Sequence, residues 1–213
     1  MTAARDGILY GIDSNGHLHW WRHLGYQNGQ AQWEGPKSVG VGWERYREVD
    51  AAPNGVIYAL ESGGTLHWWK HLKQADGVGG VWDRIPGGLK QVSVGADGET
   101  WGVSASDEIY RYTPGNWVIM PGNLRQISVG SAQQVWGTNA NNDILRWTGS
   151  TWDQVPGGLK QVSAAGDGTV WGVNHTDDVY RYDPGSNSWH VVAGKLTQIA
   201  VASAQEILGI NAD

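Results

Sequence analysis

The chain has 213 residues, 14 of them Trp, with no Cys and a net charge of -6. Lack of cysteine excludes a disulfide framework, a thiolate metal site and a cysteine nucleophile. The acidic balance argues against nucleic acid as a partner, because phosphate binding needs a basic face. No stretch approaches membrane-spanning length and the start, MTAARDGILYGIDS, has no apolar signal core, so no membrane insertion is expected, and a cytoplasmic or non-classically released protein is.

The first 88 residues hold a long repeat. GILYGID (residues 7–13) parallels GVIYALE (55–61), and HLHWWRHL (17–24) parallels TLHWWKHL (65–72). Tyr10 and Tyr58, and likewise His19 and His67, lie 48 residues apart. The extra length is expected as a loop at GYQNGQ (25–30) and a link at KSVGVGW (37–43), leading to an inner strand near residues 46–50. In the second copy the loop spans residues 73–80 and ends at Trp82.

From Leu89 the period shortens. LKQVSVGADGETWGVSASDEIYRY (89–112) returns as LRQISVGSAQQVWGTNANNDILRW (124–147) and LKQVSAAGDGTVWGVNHTDDVYRY (159–182). Trp101, Trp136 and Trp171 fall 35 residues apart, as do Trp117 and Trp152, with Trp189 following after 37. Within each copy apolar residues alternate: Val92 and Val94, then Trp101 and Val103, then Ile109 beside Arg111, then Trp117 and Ile119. Aspartate-glycine and proline-glycine turns separate these runs. Four short antiparallel strands per unit predict an all-β chain, a β-propeller of four-stranded blades forming one domain over residues 1–213. A two-sheet sandwich with chance self-similarity is the alternative.

The last segment, from Leu196, supplies a first strand (LTQIAV) and a second (EILGIN), with Leu208 where the Trp should be. The chain begins at a second-type strand. The C-terminal first strand is therefore expected to pair with the N-terminal blade and close the ring, giving five blades, with six as the alternative. One second-type strand is then surplus, an exposed edge that folds over the rim or pairs with another chain. A monomer or small homo-oligomer follows.

On these residues the first 88 positions resemble the tachylectin type of lectin propeller, through the "LYG" strand, the loop, the Trp and the VGVGW link. Residues 89–213 resemble tectonin repeats. Both resemblances imply sugar binding. Tachylectin-type sites combine the loop after the third strand with the link into the next inner strand. Here those are residues 26–33 with 40–43, carrying Tyr26, Asn28, Trp33, Gly40, Val41, Gly42 and Trp43, and residues 74–82 with the link at 86–88, carrying Trp82. That second link lacks the VGxGW sequence. In the tectonin half the same places are shorter and carry Asn116, Trp117, Trp152 and Trp189.

Chemistry beside the resemblance is read as follows. Trp101, Trp136 and Trp171 are expected as core between blades. The outer Trp33, Trp82, Trp117, Trp152 and Trp189 either stack on a pyranose or cover the blade edge. Arg111, Arg146 and Arg181 recur next to Asp107/Glu108, Asp143 and Asp177/Asp178, as surface ion pairs or as a grip on a sugar. His19 with His23, and His67 with His71, sit at i and i+4 on a strand, roughly 13 Å apart, too far for one metal ion. The Asp-Gly and Asn-Gly turns lack the dense carboxylates of a calcium loop. No nucleophile elbow, zinc-binding pair on a helix or phosphate loop is present. The expectation is a non-catalytic, cofactor-free, metal-free multivalent lectin for cell-surface glycans, with N-acetylglucosamine, N-acetylgalactosamine or O-methylated sugars as candidates. A protein-binding scaffold is the alternative.

Overall fold

A computed structural model describes the chain except residues 1, 4–7, 29, 52–55, 71–80, 86–87, 114 and 212–213, with backbone alone at 2–3, 26, 66, 68–70 and 81–85. Every described element is a strand. In chain order the first sheet is β1 (Thr2–Ala3), β2 (Ile8–Ile12), β3 (Leu18–Gln27) and β4 (Gln30–Gly40). The second is β5 (Tyr46–Ala51), β6 (Val56–Glu61), β7 (Leu66–Lys70) and β8 (Val81–Ile85). The third is β9 (Leu89–Val94), β10 (Thr100–Ser104), β11 (Glu108–Thr113) and β12 (Asn116–Asn123). The fourth is β13 (Gln126–Ser131), β14 (Gln134–Thr138), β15 (Ile144–Trp147) and β16 (Trp152–Val155). The fifth is β17 (Gln161–Ala164), β18 (Val170–Val173), β19 (Asp178–Asp183) and β20 (Ser188–Lys195), and β21 (Gln198–Ser203) pairs with β22 (Glu206–Ile210). Each sheet is an antiparallel meander in which sequence neighbours are spatial neighbours.

Two compact units divide the chain, Met1–Val92 and Ser93–Asp213. In the second unit the repeat is a repeat of contacts. Trp101 lies opposite Arg111, Trp136 opposite Arg146 and Trp171 opposite Arg181. The Gly after Trp136 and the Gly after Trp171 are required by packing. A Cβ on Gly137 would lie 2.5 Å from Leu124 Cδ1 and 2.7 Å from the Gln126 carbonyl, and Gly172 stands in the same way against Leu159. Leu124, Leu159 and Leu196 thus each seat on a glycine of the second strand, Gly137, Gly172 and Gly209.

Neighbouring sheets are joined by side chains that reach the next repeat. Ser93 Oγ accepts the Val129 N–H at 3.0 Å, Ser128 that of Ala164 at 2.9 Å, and Ser163 that of Val201 at 3.0 Å. Gln126 both donates to the Val162 carbonyl and accepts its N–H, and Gln161 treats Ile199 alike. The Asp-Gly turns do double service: Asp97 accepts Glu99 N–H within its own turn and Ala132 N–H from the next repeat, and Asp167 does the same with Thr169 and Ala204. Apolar clusters fill the space between the sheets, with Trp101, Ile109, Leu124 and Ile127 in one and Trp136, Ile144, Leu159 and Val162 in another. In the first unit Tyr10, Leu18, Trp20, Trp43, Tyr46 and Ile57 form the buried core.

Two expectations are corrected. The chain does not begin at a second-type strand: the N-terminal sheet takes its first strand from Thr2–Ala3, paired with Tyr10 and Leu9, and β21 pairs with β22. A two-residue strand leaves no periodic pattern to read. The expected loop at 25–30 and link at 37–43 are largely one long hairpin, β3 and β4, reversing at Asn28. Three register shifts along this pair break the alternation that would have marked it as strand.

Candidate functional site

The long β3–β4 hairpin gathers part of the expected site. His23 and Trp33 are register partners, and their rings meet at 4.8 Å and 44°. Packing on one side fixes the indole, and the residue remains 41% exposed. Toward the hairpin tip Gln27, Asn28 and Gln30 are exposed, and Gln32 holds its amide by donating to the Gln30 carbonyl at 3.1 Å. Asn28 turns the chain with a φ of 53°, a conformation Asn tolerates. Tyr26 pairs with Ala31 in the same hairpin.

The other half of the expected site lies elsewhere in this sheet. Gly40 ends β4, seven residues beyond Trp33, roughly 20 Å along the strand. Trp43 is 4% exposed and packs on Tyr46 at 5.3 Å, with Gly40 against its indole nitrogen. It is core. Val41 and Gly42 are exposed, Gly42 with a φ of 84°. Residues 26–33 and 40–43 of one sheet therefore do not meet. Trp82 stands opposite Trp69 in the β7–β8 pair. Residues 74–80, the 86–87 part of the second link, and His71 lie outside the described residues.

In the second unit the outer tryptophans are half-buried. Trp152 meets Trp147 at 5.2 Å and Trp101 of the preceding sheet at 6.0 Å, and its N–H donates to the Pro121 carbonyl at 2.8 Å. Trp189 repeats the two ring contacts, against Tyr182 and Trp136, without the hydrogen bond. Trp117 packs on Tyr112 at 5.1 Å, beside exposed Asn116. Trp152 and Trp189 thus close the gap to the preceding sheet. Next to them Val118, Ile119 and Val191 are exposed.

Arg111 and Arg146 take partners other than the acids adjacent in sequence. Arg111 binds Glu99 through both Nε and Nη2, at 2.5 and 3.0 Å, and Glu99 also accepts the Trp101 indole N–H at 2.6 Å. Arg146 approaches Asp153 at 4.0 Å and lies over the Trp136 ring. The strand pairing, which sets Trp101 opposite Arg111, decides these contacts, and sequence proximity does not.

The turn between the second and third strands is a recurring polar station that sequence reasoning passed over as a turn. Its opening residue accepts backbone N–H groups two and four positions on: Asp13 from Asn15 and His17, Asn139 from Asn141 and Asp143, Asn174 from Thr176 and Asp178. In the fifth sheet hydrogen bonds from Lys195, Thr176 and Asn174 hold the Asp178 carboxyl down to about 2. In the first sheet the His17 backbone N–H and the His19 ring hold the Asp13 carboxyl down to about 2.

The tectonin domain model matches residues 45–213. That match runs through residue 89 without a break. No curated protein sequence matches the chain. Among solved structures it is similar to YCF48 bound to D1 peptide, at 15% identity and a TM-score of 0.59, covering 97% of this chain and 74% of that one. YCF48 from Cyanidioschyzon merolae gives 15% identity and a TM-score of 0.60 over 96% and 75% of the two chains. Prp20p from Saccharomyces cerevisiae gives 11% and 0.60, with 92% of this chain covering 65% of that one. These likenesses, with the four-stranded antiparallel sheets, establish a propeller-type all-β fold. Among the described residues no helix is long and apolar enough to cross a membrane.

Proposed function

The chain belongs to the tectonin family, and on that premise we propose that it is a multivalent carbohydrate-binding protein for N-acetylated or O-methylated hexoses. Trp33 carries the proposal. Its indole is braced by His23 and 41% open, in the same hairpin as the exposed Asn28 and Gln30. Such a face takes the apolar side of a pyranose, while the amides take its hydroxyl or acetamido groups. Trp117, Trp152 and Trp189 offer half-buried counterparts. Weak sites displayed together gain a factor of about 10² to 10⁴ in avidity on a multivalent glycan. A tachylectin-like character of residues 1–88 belongs to the same proposal, since the long β3–β4 hairpin there contrasts with the compact β11–β12 and β15–β16 pairs. Five blades, binding without catalysis and a monomeric or small oligomeric state complete it.

Calorimetric titration with N-acetylglucosamine, N-acetylgalactosamine and an O-methylated hexose tests this. Saturable binding with more than one site per chain is expected, and Trp33→Ala removes one site while the far-ultraviolet spectrum is unchanged. Absence of binding to all three at millimolar concentration rejects it. A protein-binding propeller is the second reading, favoured by exposed Val118, Ile119 and Val191 and in keeping with YCF48, solved bound to D1 peptide.

A further inference from the structure

The polar station at the β2–β3 turn differs in kind from its four counterparts. In the second sheet it carries Glu61, Thr65 and His67, and Arg45 Nε stands 3.5 Å from the Glu61 carboxylate. In the third the acid is Glu108, hydrogen-bonded by Ser104, Ser106 and Tyr110. In the fourth Asp143 accepts from Asn139, and in the fifth Asp178 is bound by Asn174, Thr176 and Lys195. Each of these carboxylates meets a guanidinium, an ammonium, a hydroxyl or an amide, and Glu61 also one imidazole, His67 Nε2 at 3.2 Å. Among the described residues only the first station sets a carboxylate against two imidazoles.

Its geometry is that of a ligand set. Asp13 Oδ1 is spent on the turn, accepting the N–H groups of Asn15 and His17, both at 2.9 Å. The turn is closed further by Asp13 N–H to the His17 carbonyl at 3.0 Å and Gly16 N–H to the Asp13 carbonyl at 3.1 Å. Oδ2 is thereby aimed at the imidazoles, 2.9 Å from His19 Nε2 and 3.5 Å from His17 Nδ1. All three ligand atoms lie within 4.8 Å of one another. Four ligands at zinc distances of about 2.0 to 2.2 Å in a tetrahedron stand roughly 3.3 Å apart, so a small swing of the more open His17 ring completes the set.

His19 Nδ1 is buried and has no hydrogen-bond partner. Metal ligation at Nε2 puts the ring proton on Nδ1, where it has no acceptor, a cost that the metal bond has to outweigh. Glu44 lies against Gly16 of the same turn and adds negative potential. The two imidazoles at i and i+2 share one side, so the distance that rules out an i, i+4 strand pair does not apply here.

We propose that Asp13, His17 and His19 bind one divalent transition-metal ion of the zinc class through Oδ2, Nδ1 and Nε2, with a fourth position open. Two imidazoles and a carboxylate favour zinc, cobalt or nickel over magnesium and calcium, which take all-oxygen sets. The site is independent of the outer tryptophans.

The test is calorimetric titration of the full, chelator-treated chain with Zn²⁺ alone and with Mg²⁺ alone, paired with thermal denaturation. One Zn²⁺ per chain, a rise in Tm with Zn²⁺ and no response to Mg²⁺ are expected. His17→Ala, at an exposed turn, and Asp13→Asn, whose amide oxygen still closes the turn, each weaken Zn²⁺ binding by about 100-fold or more, beyond the cost of losing an outer-sphere partner. His23→Ala leaves it unchanged. Co²⁺ gives visible absorption of a four-coordinate centre in the wild type, and His17→Ala loses it. No saturable Zn²⁺ binding by the wild type, or wild-type affinity in both His17→Ala and Asp13→Asn, overturns the assignment. Sugar titrations of the same variants remain at wild-type values whatever the metal result, so the two proposals fail separately.

Discussion

Ser128 Oγ accepts the backbone N–H of Ala164 at 2.9 Å, across the boundary between the fourth and fifth sheets. Both groups are buried, and the bond recurs one repeat earlier and one later. Ser128→Ala strands the Ala164 N–H away from water. A loss of about 1–3 kcal/mol is expected, the cost of an unsatisfied buried donor. Urea denaturation measures it. A midpoint equal to the wild type's shows that the amide finds another acceptor.

Gly137→Ala places a methyl group 2.7 Å from the Gln126 carbonyl oxygen, which the strand cannot withdraw, and 2.5 Å from Leu124 Cδ1. Overpacking of this kind costs about 1–3 kcal/mol. Gly63 has open space around it, and Gly63→Ala is expected to change stability by about 0.5 kcal/mol or less. Thermal unfolding of the two variants side by side separates steric need from general intolerance of substitution.

Two carboxyls set opposite limbs of the pH profile. Asp178, held down to about 2 chiefly by Lys195, stabilises the fold in full above the ordinary Asp value of about 4, and this support goes as pH falls through about 2. Glu48 is half-buried as a residue with its carboxyl at the deep end, and burial together with the Asp50 charge pushes it up to about 8. The fold keeps that proton where the unfolded chain has released it. Stability therefore falls as pH climbs from about 4 and levels above about 8. Asp178→Asn is expected to make the acid limb shallower, the rest being carried by Asp13, and Glu48→Gln to flatten the alkaline one, read as Tm between pH 2 and pH 9. An unchanged alkaline limb in Glu48→Gln assigns that slope to another group.

Trp152 and Trp33 answer different questions. Trp152 touches two other indoles and donates to Pro121, so Trp152→Ala is expected to cost about 3–5 kcal/mol, the range for a large aromatic removed from packing. Trp33→Ala should lower stability by far less and act on sugar affinity. If Trp33→Ala melts as early as Trp152→Ala, the exposed indole is structural as well.

The repeat was legible in the chain because every copy obeys the same packing. Trp101 and Trp136 are buried as expected from their alternation with apolar neighbours, and each outer strand falls where its Trp marks it. Trp171, at the equivalent position, is only partly buried. Relations across strands were not legible. Glu99 lies twelve residues before Arg111, and only pairing of β10 with β11 makes them neighbours, so the nearer Asp107 and Glu108 took its place in the reading. The Asp13 station was hidden for a related reason. It combines two turn residues, Asp13 and His17, with one strand residue, His19, and a search along the strand alone compares His19 with His23. Trp43, an aromatic in a glycine-rich link, has the local signature of a binding loop, yet the hydrophobic cluster of the first unit buries it.

Because each serine and glutamine joint reaches one repeat forward and is met by one reaching from behind, a duplicated copy of the 35-residue unit would arrive with both halves of its joint already in hand. Lineages could lengthen or shorten this half of the molecule by unequal recombination without inventing a new interface, and internal copies would then differ chiefly where solvent or ligand, and not a neighbour, does the selecting.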